Sequence, residues 1–136
     1  IFEPIFLAFL AAALGETGAI AEGVKVLSEA FDIASASGQK WADAELYRLR
    51  GNLLIGSPSS DQAEVEACFR KALSIAREQG TRGFELRAAV SLARLLQDQE
   101  RCTEARELLA PVYGWFTEGF NTYDLKEAKA LLDELT

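Results

Sequence analysis

The stretch "EACFRKALSIAREQG" (Glu66–Gly80) sets Phe69, Ala72, Leu73 and Ala76 at helical spacing. One side of the predicted helix is an apolar stripe, and Arg70, Lys71, Arg77 and Glu78 occupy the rest of its circumference. A lone amphipathic helix has nothing to bury that stripe against. The chain supplies a partner by writing the segment again. Shifted back by 42 residues, "VLSEAFDIASASG" places Leu27, Ala30, Phe31, Ile33, Ala34 and Gly38 over Phe69, Ala72, Leu73, Ile75, Ala76 and Gly80. Shifted forward by 40, Leu109, Val112, Tyr113, Trp115 and Phe116 fall in the same places.

Each copy divides into two helices. First-helix markers are Leu7, Leu10, Ala11 and Leu14, then Tyr47, Gly51 and Leu54, then Ala89, Leu92, Ala93 and Leu96. Second-helix markers run from Gly23 and Leu27 to Val65 and Phe69, then to Ala105 and Leu109. The first helices step by 40 and then 42, and the second helices by 42 and then 40. One longer turn inside the middle hairpin, "GSPSSDQ", accounts for both. Ala11, Gly51 and Ala93, opposite Gly23, Val65 and Ala105, allow antiparallel helices to approach closely. Thr81 and Thr122 are expected N-caps, and Gly38 and Gly80 expected terminators. Pro111 should kink or split the sixth helix. A seventh helix, "DLKEAKALLDEL", puts Leu125, Ala128, Leu131 and Leu132 on one face and suits a terminal cap. The expectation is an all-α domain of about seven helices over residues 1–136. Its repeats cover about 3–38, 41–80 and 82–118, and its capping helix 122–136.

The 136 residues are enough for one domain with a real core, and 49% are apolar. No run of ~20 uncharged apolar residues exists, so no membrane span is expected. The opening "IFEPIFLAFLAAAL" contains Glu3 and Pro4 and lacks a basic flank, so it reads as a helix of the fold and not as a signal peptide. The chain has no methionine, position 1 included, which leads to the expectation of a fragment of a larger protein. Net charge is −7. Residues 1–40 carry 2 basic and 5 acidic groups, 41–115 carry 10 and 11, and 116–136 carry 2 and 5. That acidic balance argues against a nucleic-acid phosphate footprint. Cys68 and Cys102 lack metal-ligand spacing and read as reduced thiols of a cytoplasmic protein.

The small–large–Ala pattern resembles the tetratricopeptide repeat over residues 5 to about 116. The resemblance implies a right-handed superhelix of stacked hairpins. The period departs from it: about 40 against the usual ~34, with the surplus in "SASGQKWADAE". HEAT-type repeats have the observed period but do not predict the spacing within each second helix. "AELYRLRGNLL", "ACFRKALSIAREQG" and "ARLLQDQERCTEARELLAPVYGWFTEGFNTYDLKEAKALLDEL" look similar to the C-terminal end of large bacterial signalling proteins. Those are adenylate or guanylate cyclases and multidomain ATPases that end in helical repeats. The resemblance makes this chain a regulatory tail and leaves cyclase or ATPase chemistry in a parent protein.

Chemistry within the chain is sparse. There is no histidine, which removes the usual general base and commonest metal ligand. "GNLLIGSPSS" lacks the Gly-Lys-Ser/Thr of a phosphate-binding loop. Asp124, Glu127, Asp133 and Glu134 read as a solvated helix face. Cys68, beside Arg70 and Lys71, could have a lowered pKa but has no partner base. No catalytic residue, cofactor or metal site is expected. Trp41, Tyr47, Trp115, Phe116, Phe120 and Tyr123 are expected in the core between hairpins. Arg77, on the far side of the Ala72 stripe, predicts a substitution cost of about 0.5 kcal/mol or less.

The tetratricopeptide resemblance implies that first helices line a concave groove. By repeat position that face holds Ile5 and Ala12, then Glu45, Arg48, Asn52 and Ile55, then Arg87, Val90, Arg94 and Gln97. Arg48 with Asn52 resembles the basic-plus-amide pair with which some such repeats hold a peptide carboxylate, although Ser91 stands where an asparagine is usual. The candidate groove residues are therefore Arg48, Asn52, Arg87 and Arg94, free of Glu45 and Asp98. The expected partner is a protein or peptide segment, acidic or belonging to another domain of the same chain. Homodimerisation and small-ligand sensing are the alternative readings.

Overall fold

The computed structural model describes residues 9–11, 13–15, 18–38, 40–55 and 61–135. Residues 9–11 and 13–15 are helical. Six complete helices follow: α1 (Ile20–Ser37), α2 (Asp43–Ile55), α3 (Gln62–Gln79), α4 (Arg82–Asp98), α5 (Cys102–Gly114) and α6 (Tyr123–Leu135). The "GSPSS" turn, Ile5, Leu7 and Ala12 lie outside the described residues.

The helix ends follow local chemistry. Asp61 caps α3 by accepting a hydrogen bond from the Ala63 amide at 3.0 Å. Gly80, at φ 69°, ends it. Thr81 N–H reaches Ala76 O at 3.0 Å and Gly80 N–H reaches Arg77 O at 3.3 Å, the paired bonds of a Schellman motif. Gly38 ends α1 in the same left-handed region, at φ 72°. Thr81 does precede α4, but its hydroxyl bonds back to Ala76 O at 3.4 Å and caps no amide. Thr122 sits at the start of α6, its carbonyl accepting the Lys126 amide at 3.0 Å. Pro111 does not split α5, which runs through it to Gly114. The amide it lacks would have served the Glu107 carbonyl, and both residues are exposed, so water can take the vacant acceptor.

Close approach holds the first two hairpins. A Cβ on Gly51 would meet the Phe69 ring at 2.6 Å. On Gly23 it would lie 2.9 Å from the Ala11 carbonyl. The core falls into two clusters that meet at α2. Leu46, Leu49 and Leu53 face Ala11, Leu27, Ala30 and Ala34 on one side. Tyr47 and Leu54 pack toward Phe69, Leu73 and the helices beyond on the other. A helix buried on two sides cannot show one apolar stripe, which is why α2 looks weakly patterned in sequence. Leu125, Ala128, Leu131 and Leu135 of α6 are buried, with Leu132 partly so.

The aromatic expectation needs correction. Only Tyr47 and Phe116 pack against the core. Trp115 is 53% exposed and Tyr123 73%, and Trp41 and Phe120 are also exposed. All four lie at helix ends or in connections, where no facing helix covers them. Trp115 instead carries the Arg82 guanidinium 4.6 Å from its ring centroid.

Every helix packs on the next in sequence. Two further pairs touch, α2 with α4 and α4 with α6. Among the described residues, α1 does not reach α3, nor α3 reach α5.

Candidate binding groove

The direct α2–α4 and α4–α6 packing brings one face of each of these three helices to a common concavity of about 540 Å³. Arg48 and Asn52 enter from α2, Arg87 and Arg94 from α4. All four residues singled out by repeat position therefore line one cavity, together with Ile55, Val90 and Ser91. Spacing explains this: 87, 90 and 94 share a face of α4 because three- and four-residue steps complete a turn.

Their guanidinium groups are not equally available. Arg48 is bound at both ends to the Glu45 carboxylate, Nε at 2.7 Å and Nη2 at 2.9 Å. Arg87 donates from Nη1 to the Glu45 Oε2 that also accepts Arg48 Nη2, at 3.1 Å, and from Nε to Asp124 of α6 at 2.8 Å. Arg94 stands 3.9 Å from Glu127 and is 45% exposed on its side chain. It makes no ion pair with Asp98 among the described residues, although Asp98 lines the same cavity. Arg48 and Arg87 are thus both tied to Glu45, against expectation, whereas Arg94 is not tied to Asp98.

Glu45 is the centre of this arrangement, 1% exposed. Burial pushes its carboxyl upward; the hydrogen bond and charge of Arg48, reinforced by Arg87, outweigh burial and hold it below its ordinary value of 4.5. An alternating row of charges, Arg48–Glu45–Arg87–Asp124, so runs across the three helices. Tyr123 donates its hydroxyl to Glu127 at 2.9 Å, at the groove's edge.

Asp124, Glu127 and Tyr123 belong to the cavity, whereas charge pattern alone puts the two carboxylates on a solvated face. One signal was present. A further step of 39 carries Ala89, Leu92, Ala93 and Leu96 onto Ala128, Leu131, Leu132 and Leu135, so α6 repeats the apolar stripe of a first helix. The three arginines and the carboxylates Asp98, Asp124 and Glu127 balance around the cavity.

Cys68 also differs from expectation. Burial raises its thiol pKa, and the cation that partly opposes this is Arg50, not Arg70 or Lys71. Among the described residues no group of three His, Cys, Asp or Glu could hold a metal ion, and no helix is long and apolar enough to cross a membrane.

The class that these observations define is an all-α domain of helices packed sequentially against their neighbours. No family model, no curated protein and no solved structure matches the chain.

Proposed function

We propose that the chain is a non-catalytic helical-repeat recognition module. In this reading it is a tetratricopeptide-like superhelix serving as the regulatory tail of a bacterial cyclase-type or ATPase-type signalling protein. The packing asymmetry supports the curvature. First helix α4 touches both α2 and α6 while second helices α1, α3 and α5 are separated, which favours a bend toward the first-helix side. The single observation that carries the recognition reading is the convergence of Arg48, Asn52, Arg87 and Arg94 on one concavity.

The ligand is a peptide segment, from another protein or another domain of the parent chain, that presents a carboxylate to Arg94 and Asn52. Arg48 and Arg87 hold the groove's shape through Glu45 and Asp124, and Arg94 does the recognition. Ile55 and Val90 offer an apolar shelf beside it. Because the lining charges balance, an acidic segment gains little from long-range attraction and binds through short, geometry-dependent hydrogen bonds. Titrating labelled acidic peptides, with free and amidated C-termini, tests this by fluorescence anisotropy. Arg94→Ala should weaken binding about tenfold without moving the melting temperature. A bound peptide indifferent to Arg94→Ala would sink the proposal.

A further inference from the structure

On the opposite side of the array, α1 and α3 do not touch, and α2 is visible between them. Two cavities lie in that furrow, of about 330 Å³ and about 190 Å³. Tyr47 and Arg50 of α2 line both, so the two are neighbours on the α2 surface. The larger has an apolar wall and floor, in which Phe31 meets Tyr47 edge-on with ring centroids 4.9 Å apart. Leu27 closes it underneath.

Arg50 stands apart from the other arginines. The chain has nine, and eight hold a carboxylate or a backbone carbonyl: Arg48, Arg70, Arg77, Arg82, Arg87, Arg94, Arg101 and Arg106. Of the nine, exposed Arg50 alone makes no side-chain hydrogen bond, ion pair or ring contact with the described residues. Asp32 on the α1 wall and Glu64 on the α3 wall line the furrow without pairing with it. A guanidinium lining two cavities, beside an aromatic pair and not ion-paired with the carboxylates of either wall, is complementary to an anion with an apolar body.

We infer that this furrow is a second binding site, separate from the groove of α2, α4 and α6, and that it takes a small monocarboxylate with an aromatic body. The carboxylate pairs with Arg50, and the body lies along Phe31 and Tyr47. Asp32 and Glu64 disfavour dianions, which one guanidinium cannot neutralise against two nearby carboxylates.

Phenylacetate is the probe, titrated into the isotope-labelled protein and followed by NMR, with acetate and phenethylamine as controls. Saturable shifts at Phe31, Tyr47 and the Arg50 guanidinium are expected with phenylacetate, and none with either control. Arg50→Gln should weaken phenylacetate binding about tenfold. The melting temperature of that variant should match the parent, because Arg50 makes no hydrogen bond or ion pair to another described residue. The inference is overturned by shifts confined to the Arg94 face, by phenethylamine binding as well as phenylacetate, or by unchanged affinity in Arg50→Gln. Absence of any saturable shift overturns it too.

Discussion

Glu45 and Glu85 are the two buried carboxylates among the described residues, and each is held by two arginines. For Glu45 the consequence is pH dependence. Its folded carboxyl lies below the ordinary 4.5, so unfolding takes up a proton as the pH falls through this range. Its stabilisation is complete above about pH 4.5 and is lost below it, as the folded carboxyl titrates. Glu66 adds in the same direction, lowered chiefly by the hydrogen bond from Arg70. Urea denaturation between pH 3 and 7 should show this acid limb, and Glu45→Gln should flatten it while costing about 2 kcal/mol at neutral pH. A second contrast concerns α3. Ala72 is fully buried, so Ala72→Glu should cost more than about 3 kcal/mol. Arg77 is exposed, but its Nε donates to Glu85 at 3.2 Å. Arg77→Glu therefore sets two carboxylates together and should cost about 1 kcal/mol, above the sequence expectation of 0.5. Equal denaturation midpoints for the two variants would contradict the hairpin register.

At the scale of elements, what was legible in the sequence was local. The α3 stripe of Phe69, Ala72, Leu73 and Ala76 is buried, and Gly38 and Gly80 stop their helices, because period and left-handed geometry are written in neighbouring residues. The groove positions on α4 followed from the same period. The ion pairs did not, since Arg87 finds Glu45 42 residues away and Asp124 37 away, and no short window contains both partners. Exposed aromatics such as Trp115 were misplaced for a related reason: hydrophobicity says that a side chain gains from burial, not that a neighbour exists to bury it. The end of α4 is a third case. Glu100 adopts φ 61°, the only non-glycine among the described residues with positive φ. Arg101 N–H reaches Leu96 O at 2.8 Å and Glu100 N–H reaches Gln97 O at 3.0 Å, the pattern that glycine serves at the end of α3. An exposed glutamate there carries left-handed strain for no packing gain. Glu100→Gly should stabilise the protein by about 0.5–1 kcal/mol, read as a higher melting temperature.

At the scale of the whole molecule, each helix depends on its neighbours, as in arrays where stability is a sum of nearest-neighbour interfaces. The last helix tests how far that dependence reaches. α6 packs on both α5 and α4, burying Leu125, Ala128, Leu131 and Leu135 against the larger cluster. Removing residues 123–136 would uncover that apolar face and also take away Asp124, so Arg87 would keep only Glu45 as its partner. Two effects should then appear together. α4 and α5 should exchange their amide hydrogens faster, while α1 and α2, two interfaces away, should keep most of their protection. The truncated groove, with Asp124 and Glu127 gone, turns from balanced to cationic, so an acidic peptide should meet Arg87 and Arg94 under stronger, salt-dependent attraction. Hydrogen exchange and peptide titration at two ionic strengths separate these outcomes. Uniform loss of protection through α1 would show a single cooperative unit in place of a neighbour-coupled array. Unchanged salt dependence would show that the α6 carboxylates do not set the charge of the groove.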